Sequence, residues 1–333
     1  MNKIGLICIC AALMWASAWA DEDLKNSRQI GQDKENSDVK GQIQNKDLSL
    51  DSLEPYYPKD EAKPPQEQDH YLALYPHKAV YILPYYHSFT QPAEGDKDTE
   101  TKFQFSFKIP IVKFPSLLPT LYKNTTECQR CEDGIYFAYT QTAWFQNYNR
   151  EDSRPFRDID YQPELFYHMQ LLDTMLYDKR MRIYAIFGYR HLSNGERELR
   201  SRTMNAVVGG GGLEIRTLES GIFGVELMTW NYIAKGRDSF QHDNPDLPQY
   251  YGNAWSRVYY VYGRNLFEYI HRGSYAQVGY PTYDELGYTL RISDNLGIYV
   301  QYVDGYGDNI FEYRTHARRI GVGLRLWDRS YTQ

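Results

Sequence analysis

The chain reads as an all-β protein, a twelve-stranded antiparallel transmembrane β-barrel. Three observations predict it. From about Tyr71 onward, segments of about ten residues alternate apolar and polar side chains, and turn-forming or charged stretches separate them. Aromatic residues make up 16% of the chain and 32 residues are Tyr, a dose of amphipathic rings suited to girdles at two membrane interfaces. No stretch beyond the N-terminus approaches the roughly 18 apolar residues a membrane helix needs, so membrane residence requires strands closed on themselves.

The N-terminus has the three parts of a secretory signal. Lys3 supplies the positive region, Ile4 to Met14 the apolar stretch, and Ala18-Trp19-Ala20 the small-residue cleavage site. Residues 1–20 are therefore expected to leave, and Asp21 to begin the mature chain. Residues 21–70 are polar and aromatic-poor, with Lys63-Pro64-Pro65-Gln66 near their end, and read as a disordered tail. Residues 71–333 are the barrel. Cys8 and Cys10 would depart with the signal; Cys128 and Cys131 remain, as a local disulfide or as two thiols in a turn. Lys+Arg 37 against Asp+Glu 43 leaves a net charge of -6, which argues against a nucleic-acid footprint.

The period-2 pattern sets out the strands in order. Ala79 to Tyr86 and Phe103 to Val112 come first, then Ile135 to Tyr148, rich in Tyr, Phe and Thr, and Leu165 to Leu172. Arg182 to Leu192 and Met204 to Arg216 follow as a pair about the Gly195–Thr203 loop, then Ile222 to Ile233 and Ala254 to Tyr262. Phe267 to Val278, Tyr283 to Ile292, Leu296 to Val303 and Arg319 to Trp327 complete the set. Each strand has one apolar face, as a barrel wall requires; a soluble sandwich or jelly roll would need a separate core pattern. Arg150 to Tyr161, Gly195 to Thr203 and Lys235 to Gly252 read as polar loops on one side, and the gap from Phe114 to Asp133 as a long turn on the other.

One face of the fifth strand carries Ser193, His191, Tyr189, Phe187, Ala185 and Ile183. Side chains at i and i+2 share a face, so a base and a hydroxyl stand side by side at the strand's end. Asn205 begins the matching face of the returning strand, followed by Val207, Gly209 and Gly211. Ser, His and Asn within reach of one another are the material of a nucleophilic hydrolase site. The three lie on the apolar face. In a soluble protein that face would be a core closed to substrate, whereas in a membrane barrel it looks into lipid.

These residues resemble the outer membrane phospholipase A family of Gram-negative bacteria. The resemblance rests on His191-x-Ser193-Asn194-Gly195 with Asn205, on Tyr139-Thr140-Gln141 with Trp144, on Pro155-Phe156-Arg157 with Tyr161-x-Pro163-Glu164-Leu165-Phe166, and on Asp243-Asn244-Pro245-Asp246. It covers about Tyr71 to Trp327. The resemblance implies an outer-membrane enzyme, with its site on the outer-leaflet side, that hydrolyses acyl esters of phospholipids (as A1 and A2) and of lysophospholipids. It implies dependence on Ca2+ and activity as a homodimer. By matching position Ser193 is the nucleophile, His191 its base, Asn205 the group that orients the imidazole, and Gly195 the donor of an oxyanion amide. The metal positions are the carbonyls of Glu196 and Ser201, the carboxylates of Asp243 and Glu198, and Ser153 across the dimer. Gln141 matches a polar residue buried in the dimer interface.

The chain departs from the pattern in places. Glu196 replaces a usual Arg, which matters little where only a carbonyl binds. Glu198 replaces an Asp, which keeps the charge on a longer arm that calcium's flexible geometry tolerates. Leu192 stands where Asp is common, and the residues alone do not explain it. The rival readings are a passive outer-membrane channel, an adhesin-like barrel and a barrel relative without activity. A channel leaves His191, Ser193 and Asn205 without a role.

Overall fold

A computed structural model describes residues 74–90, 96–113, 133–151, 156–176, 179–217, 221–233, 240–274 and 281–328. The signal and tail segments, Cys128, Cys131 and Ser153 lie outside the described residues. The strands are β1 (Tyr81–Ser88), β2 (Thr99–Lys113), β3 (Gly134–Phe145), β4 (Phe156–Leu176), β5 (Lys179–Ser193) and β6 (Thr203–Thr217). They continue as β7 (Gly221–Tyr232), β8 (Ala254–Tyr262), β9 (Asn265–Gly273), β10 (Tyr283–Ser293), β11 (Leu296–Tyr306) and β12 (His316–Leu326). Each pairs antiparallel with its sequence neighbours, and β12 pairs with β1 to close the wall. A two-residue segment, Tyr75–Pro76, extends the β1 side of β2. The twelve-stranded barrel expected from the alternation is therefore present.

The wall is inside-out relative to a soluble protein. Phe187 (64% exposed), Leu227 and Leu326 stand on the outer face, while Glu100, Lys102, Glu164, Arg190, Arg319 and Arg325 are buried within. A buried charge survives only when paired. Glu100 receives Arg157 at 2.7 Å and Arg319 at 2.9 Å. Asp308 receives Lys102 at 2.9 Å and the Trp144 indole N–H at 3.2 Å. Nearer the opposite end, Glu268 takes Arg257 and Arg325. These ion pairs cross the interior and give the polar faces of β2, β4, β8, β9 and β12 their partners.

Some boundaries need correction: the third strand ends at Phe145, the ninth ends at Gly273, and the fourth begins at Phe156, the largest difference. Residues 156–161 belong to β4 and not to a loop. Their charges read as loop because the sequence does not show what they meet. A register shift against Trp144 and Phe145 leaves Arg157 as the extra residue of a bulge, so Arg157 and Asp158 both turn inward. There Arg157 meets Glu100, and Asp158 accepts the Phe311 N–H at 3.0 Å.

Candidate active site

β5 and β6 pair in a register that sets His191 directly opposite Asn205 and Ser193 opposite Thr203. Opposed side chains of an antiparallel pair lie within contact distance. The three expected residues accordingly form one row: the His191 Nδ1–H donates to Asn205 Oδ1 at 2.7 Å, and the Ser193 hydroxyl donates to His191 Nε2 at 2.9 Å. The amide oxygen of Asn205 fixes the tautomer that leaves Nε2 as acceptor. Tyr189, two residues before His191 on the same face, adds a hydroxyl that donates to the same Asn205 oxygen at 2.5 Å. Sequence reading placed Tyr189 on this face without a role; the i, i+2 spacing before His191 was the available signal.

The row opens outward. Phe187, Tyr189 and Val207 on its face are exposed. Behind it, Leu192 is fully buried with Met204, Leu247, Ile310 and Tyr313. That packing explains Leu192: its side chain points away from Ser193 and fills the apolar cap of the lumen beneath the site.

The β5–β6 loop is closed by the Asn194 N–H on the Arg202 carbonyl at 3.2 Å and holds one 3-10 turn, Glu198–Arg200. Gly195 has φ +67°, a left-handed value that favours glycine, and an added Cβ would lie 3.1 Å from the Tyr161 ring. Among the described residues no acceptor takes the Gly195 N–H.

The proposed metal positions divide into two groups. Ser201 and Asp243 come together, with the Ser201 hydroxyl donating to the Asp243 carboxylate at 2.6 Å. Asp243 ends helix α1 (Phe240–Asp243), and the next residue, Asn244, is buried and clamps Thr203 through both its N–H and its carbonyl. Burial works against the Asp243 charge, but hydrogen bonds from Ser201 and His242 outweigh it and hold the carboxyl below its ordinary value. Glu196 and Glu198 are exposed on the loop, where the Glu196 carboxylate lies 3.9 Å from Arg200. Among the described residues, no three His, Cys, Asp or Glu side chains gather in a metal-binding group. A cation here would depend on carbonyl and hydroxyl oxygens with a single near carboxylate. That donor set fits a hard ion such as calcium in kind. The Ser201 carbonyl already holds a positive group, the Arg202 guanidinium at 2.7 Å, which also reaches the Leu199 carbonyl at 2.9 Å.

Gln141 lies between Thr140 and Thr142, whose hydroxyls bond inward to Ser106 and Gln104, so it faces outward. There it stands opposite Phe105 and Tyr161 and accepts the Tyr139 hydroxyl at 3.0 Å.

Fold and site together define a membrane β-barrel of the hydrolase class. The phospholipase A1 family model matches residues 59–326. Phospholipase A1 of Klebsiella pneumoniae is 30% identical over 277 residues, covering 79% of this chain and 85% of that protein, and the Escherichia coli K12 enzyme is 29% identical over 282 residues, covering 79% and 84%. An active-site mutant of outer membrane phospholipase A from Escherichia coli superposes with a TM-score of 0.63 at 26% identity, covering 79% of this chain and 95% of that one. The calcium-bound outer membrane phospholipase dimer of Salmonella typhi gives 0.63 at 25% identity, with the same coverage. The chain belongs to the phospholipase A1 family, and is a phospholipase of the outer-membrane barrel type.

Proposed function

We propose that the chain is a calcium-dependent outer-membrane phospholipase that cleaves acyl esters of phospholipids (A1 and A2) and of lysophospholipids, with Ser193 as nucleophile and a homodimer as the active form. The observation that carries this reading is the outward-facing row of Ser193, His191 and Asn205 at hydrogen-bond distances.

The chemistry follows from the row. Nε2 of His191 accepts the Ser193 proton as Oγ attacks the acyl carbonyl. Asn205 keeps Nδ1 protonated and the ring in plane. Being neutral, it stabilises the imidazolium less than a carboxylate would. His191 then returns the proton to the leaving alcohol, and a water repeats the sequence on the acyl-enzyme. The Gly195 N–H would donate to the oxyanion. Calcium, when bound, supplies fixed positive charge beside the acyl carbonyl. The Ser201 and Glu196 carbonyls and Asp243 would hold it, with Glu198 near and Ser153 contributed by a second copy. Gln141, a polar side chain among outward aromatic ones, supports pairing of two barrels on this wall, since an amide facing hydrocarbon gains from an amide partner. The row sits at the β5–β6 loop end, which we assign to the outer leaflet.

Acyl release from phosphatidylcholine in mixed micelles, with calcium or with excess EDTA, tests the reading in wild type and Ser193→Ala. Release that needs calcium and disappears in Ser193→Ala is expected. A folded wild type that releases nothing at millimolar calcium would overturn it.

A further inference from the structure

We infer that Asn194, anchored by Asp158, is a positioning residue that shapes the 195–202 loop for catalysis. The inference rests on the phospholipase reading above and adds to it a pair of residues that cannot touch the substrate. Asn194 follows Ser193, so its side chain turns to the lumen, where it is 4% exposed.

Its amide spans the neck of the loop. Oδ1 accepts the Arg202 N–H at 2.9 Å and the Glu196 N–H at 3.4 Å. Nδ2 donates to the Arg200 carbonyl at 2.8 Å and to Asp158 Oδ1 at 3.4 Å. Two donors and two acceptor sites are all that a carboxamide offers, and all four are engaged. A capping side chain in a simple turn would need one of these bonds. Here the amide reaches both ends of the loop, and only asparagine provides donors and acceptor on so short an arm.

The consequence for the site lies in the backbone. Holding the Glu196 N–H restrains the peptide that follows Gly195, whose left-handed backbone stands two residues after Ser193. Holding Arg200 and Arg202 fixes Ser201 between them, beside Asp243. One buried amide therefore restrains the backbone on both sides of the loop, at Gly195–Glu196 and about Ser201.

Asp158 gives the amide its orientation. A carboxylate only accepts, so it must face Nδ2 and not Oδ1. Its other oxygen takes the Phe311 N–H at 3.0 Å, and Asp160 takes the Ile310 N–H at 3.2 Å. The Arg200 guanidinium lies 4.2 Å over the Phe311 ring. The segment between β11 and β12 is thus tied to the catalytic loop through two buried side chains.

The test compares Asn194→Ala, Asn194→Asp and the double exchange Asn194→Asp with Asp158→Asn. Each is read by amide hydrogen exchange of the 194–203 segment, by the calcium concentration for half-maximal thermal protection, and by kcat and KM. Heat-modifiable migration establishes that each barrel is folded. Asn194→Ala should speed exchange across the segment, raise the calcium midpoint by roughly 10-fold and lower kcat by roughly 30-fold, with KM nearly unchanged, as expected of misplaced groups rather than lost binding. Asn194→Asp should be worse, because two carboxylates then face each other. The double exchange restores a donor opposite an acceptor and should recover part of the loss. Folded Asn194→Ala with wild-type exchange, midpoint and kcat would overturn the inference, as would a double exchange no better than Asn194→Asp alone. A wild type without hydrolysis would sink the phospholipase reading, while hydrogen exchange would still decide whether Asn194 orders the loop.

Discussion

The Tyr189 hydroxyl and the His191 ring donate to one oxygen, the Oδ1 of Asn205. Two donors on one acceptor hold the carboxamide with its oxygen toward the imidazole and its NH2 away. A neutral orienting residue can flip end for end in a way that a carboxylate cannot, and Tyr189 removes that freedom. Tyr189→Phe should therefore lower kcat about 3- to 10-fold, the worth of one ordinary hydrogen bond, with KM little changed. Asn205→Ala should lower it further. Steady-state hydrolysis of a phospholipid in mixed micelles measures both, and a Tyr189→Phe enzyme at full kcat would dismiss the clamp.

Gly224 faces the Tyr259 ring across the lumen side of the wall, where an added Cβ would sit 2.1 Å from a ring carbon, and the Tyr259 hydroxyl reaches Glu214 at 2.9 Å. Ring and glycine fit as a matched pair that a methyl group breaks. Gly224→Ala should destabilise the barrel by about 1–3 kcal/mol, read from urea unfolding in lipid vesicles by tryptophan fluorescence. The site lies elsewhere, so the folded fraction should keep its kcat.

Phe187 tests the outer face. It stands on the face of the Ser193–His191–Asn205 row, six residues from Ser193 toward the middle of the wall, and is exposed. Phe187→Arg should cost about 2–4 kcal/mol of stability in a bilayer, because a cation replaces an apolar group against hydrocarbon, and Phe187→Leu should cost far less. Equal unfolding midpoints for the two variants in vesicles would contradict the membrane-facing assignment of this surface.

Acid should loosen the rim through Asp246. Burial disfavours its charge, but Arg314 at 2.7 and 2.8 Å and the Tyr313 hydroxyl prevail and hold the carboxyl below its ordinary value. Burial and the Asp246 bond push the Tyr313 hydroxyl up to about 12. A depressed folded pKa means that the carboxylate's contribution is complete above about pH 4 and is lost as pH falls through the folded value. Arg314 is largely exposed, so that contribution is no more than about 1 kcal/mol. The Tm of wild type should exceed that of Asp246→Asn near neutral pH, and the two should converge on acidification below about pH 4. A constant gap would refute the linkage.

Much of this was legible in the chain. Alternation located all twelve strands, because each has one face against lipid and that face is mostly apolar, the row of Ser193, His191 and Asn205 and the amide of Gln141 being polar exceptions. Strand ends were harder to see. Glu100, Lys102, Asp158 and Asp160 look like turn residues until Arg319, Asp308 and the 310–311 backbone are brought to them by barrel closure. Partners 150 or more positions apart leave no local signature. In the site, the His191-x-Ser193 spacing and the phase of Asn205 could be read directly, since a hairpin is local. The roles of Asn194 and Leu192 could not, because both act on the lumen side, Leu192 against Ile310, which only closure delivers, and Asn194 against Asp158 of the neighbouring strand and the loop backbone.

On the proposed reading, a hydrolytic row on the outer wall needs neither mouth nor tunnel. Phe187, Tyr189 and Val207 present it sideways, so substrate would reach it by sliding within a two-dimensional sheet. The quantity that sets its rate is then the mole fraction of phospholipid in the surrounding layer and not its molarity in the vessel. Adding inert detergent at fixed total lipid and calcium should slow the enzyme in proportion to that dilution, whereas adding buffer should leave the rate per enzyme unchanged.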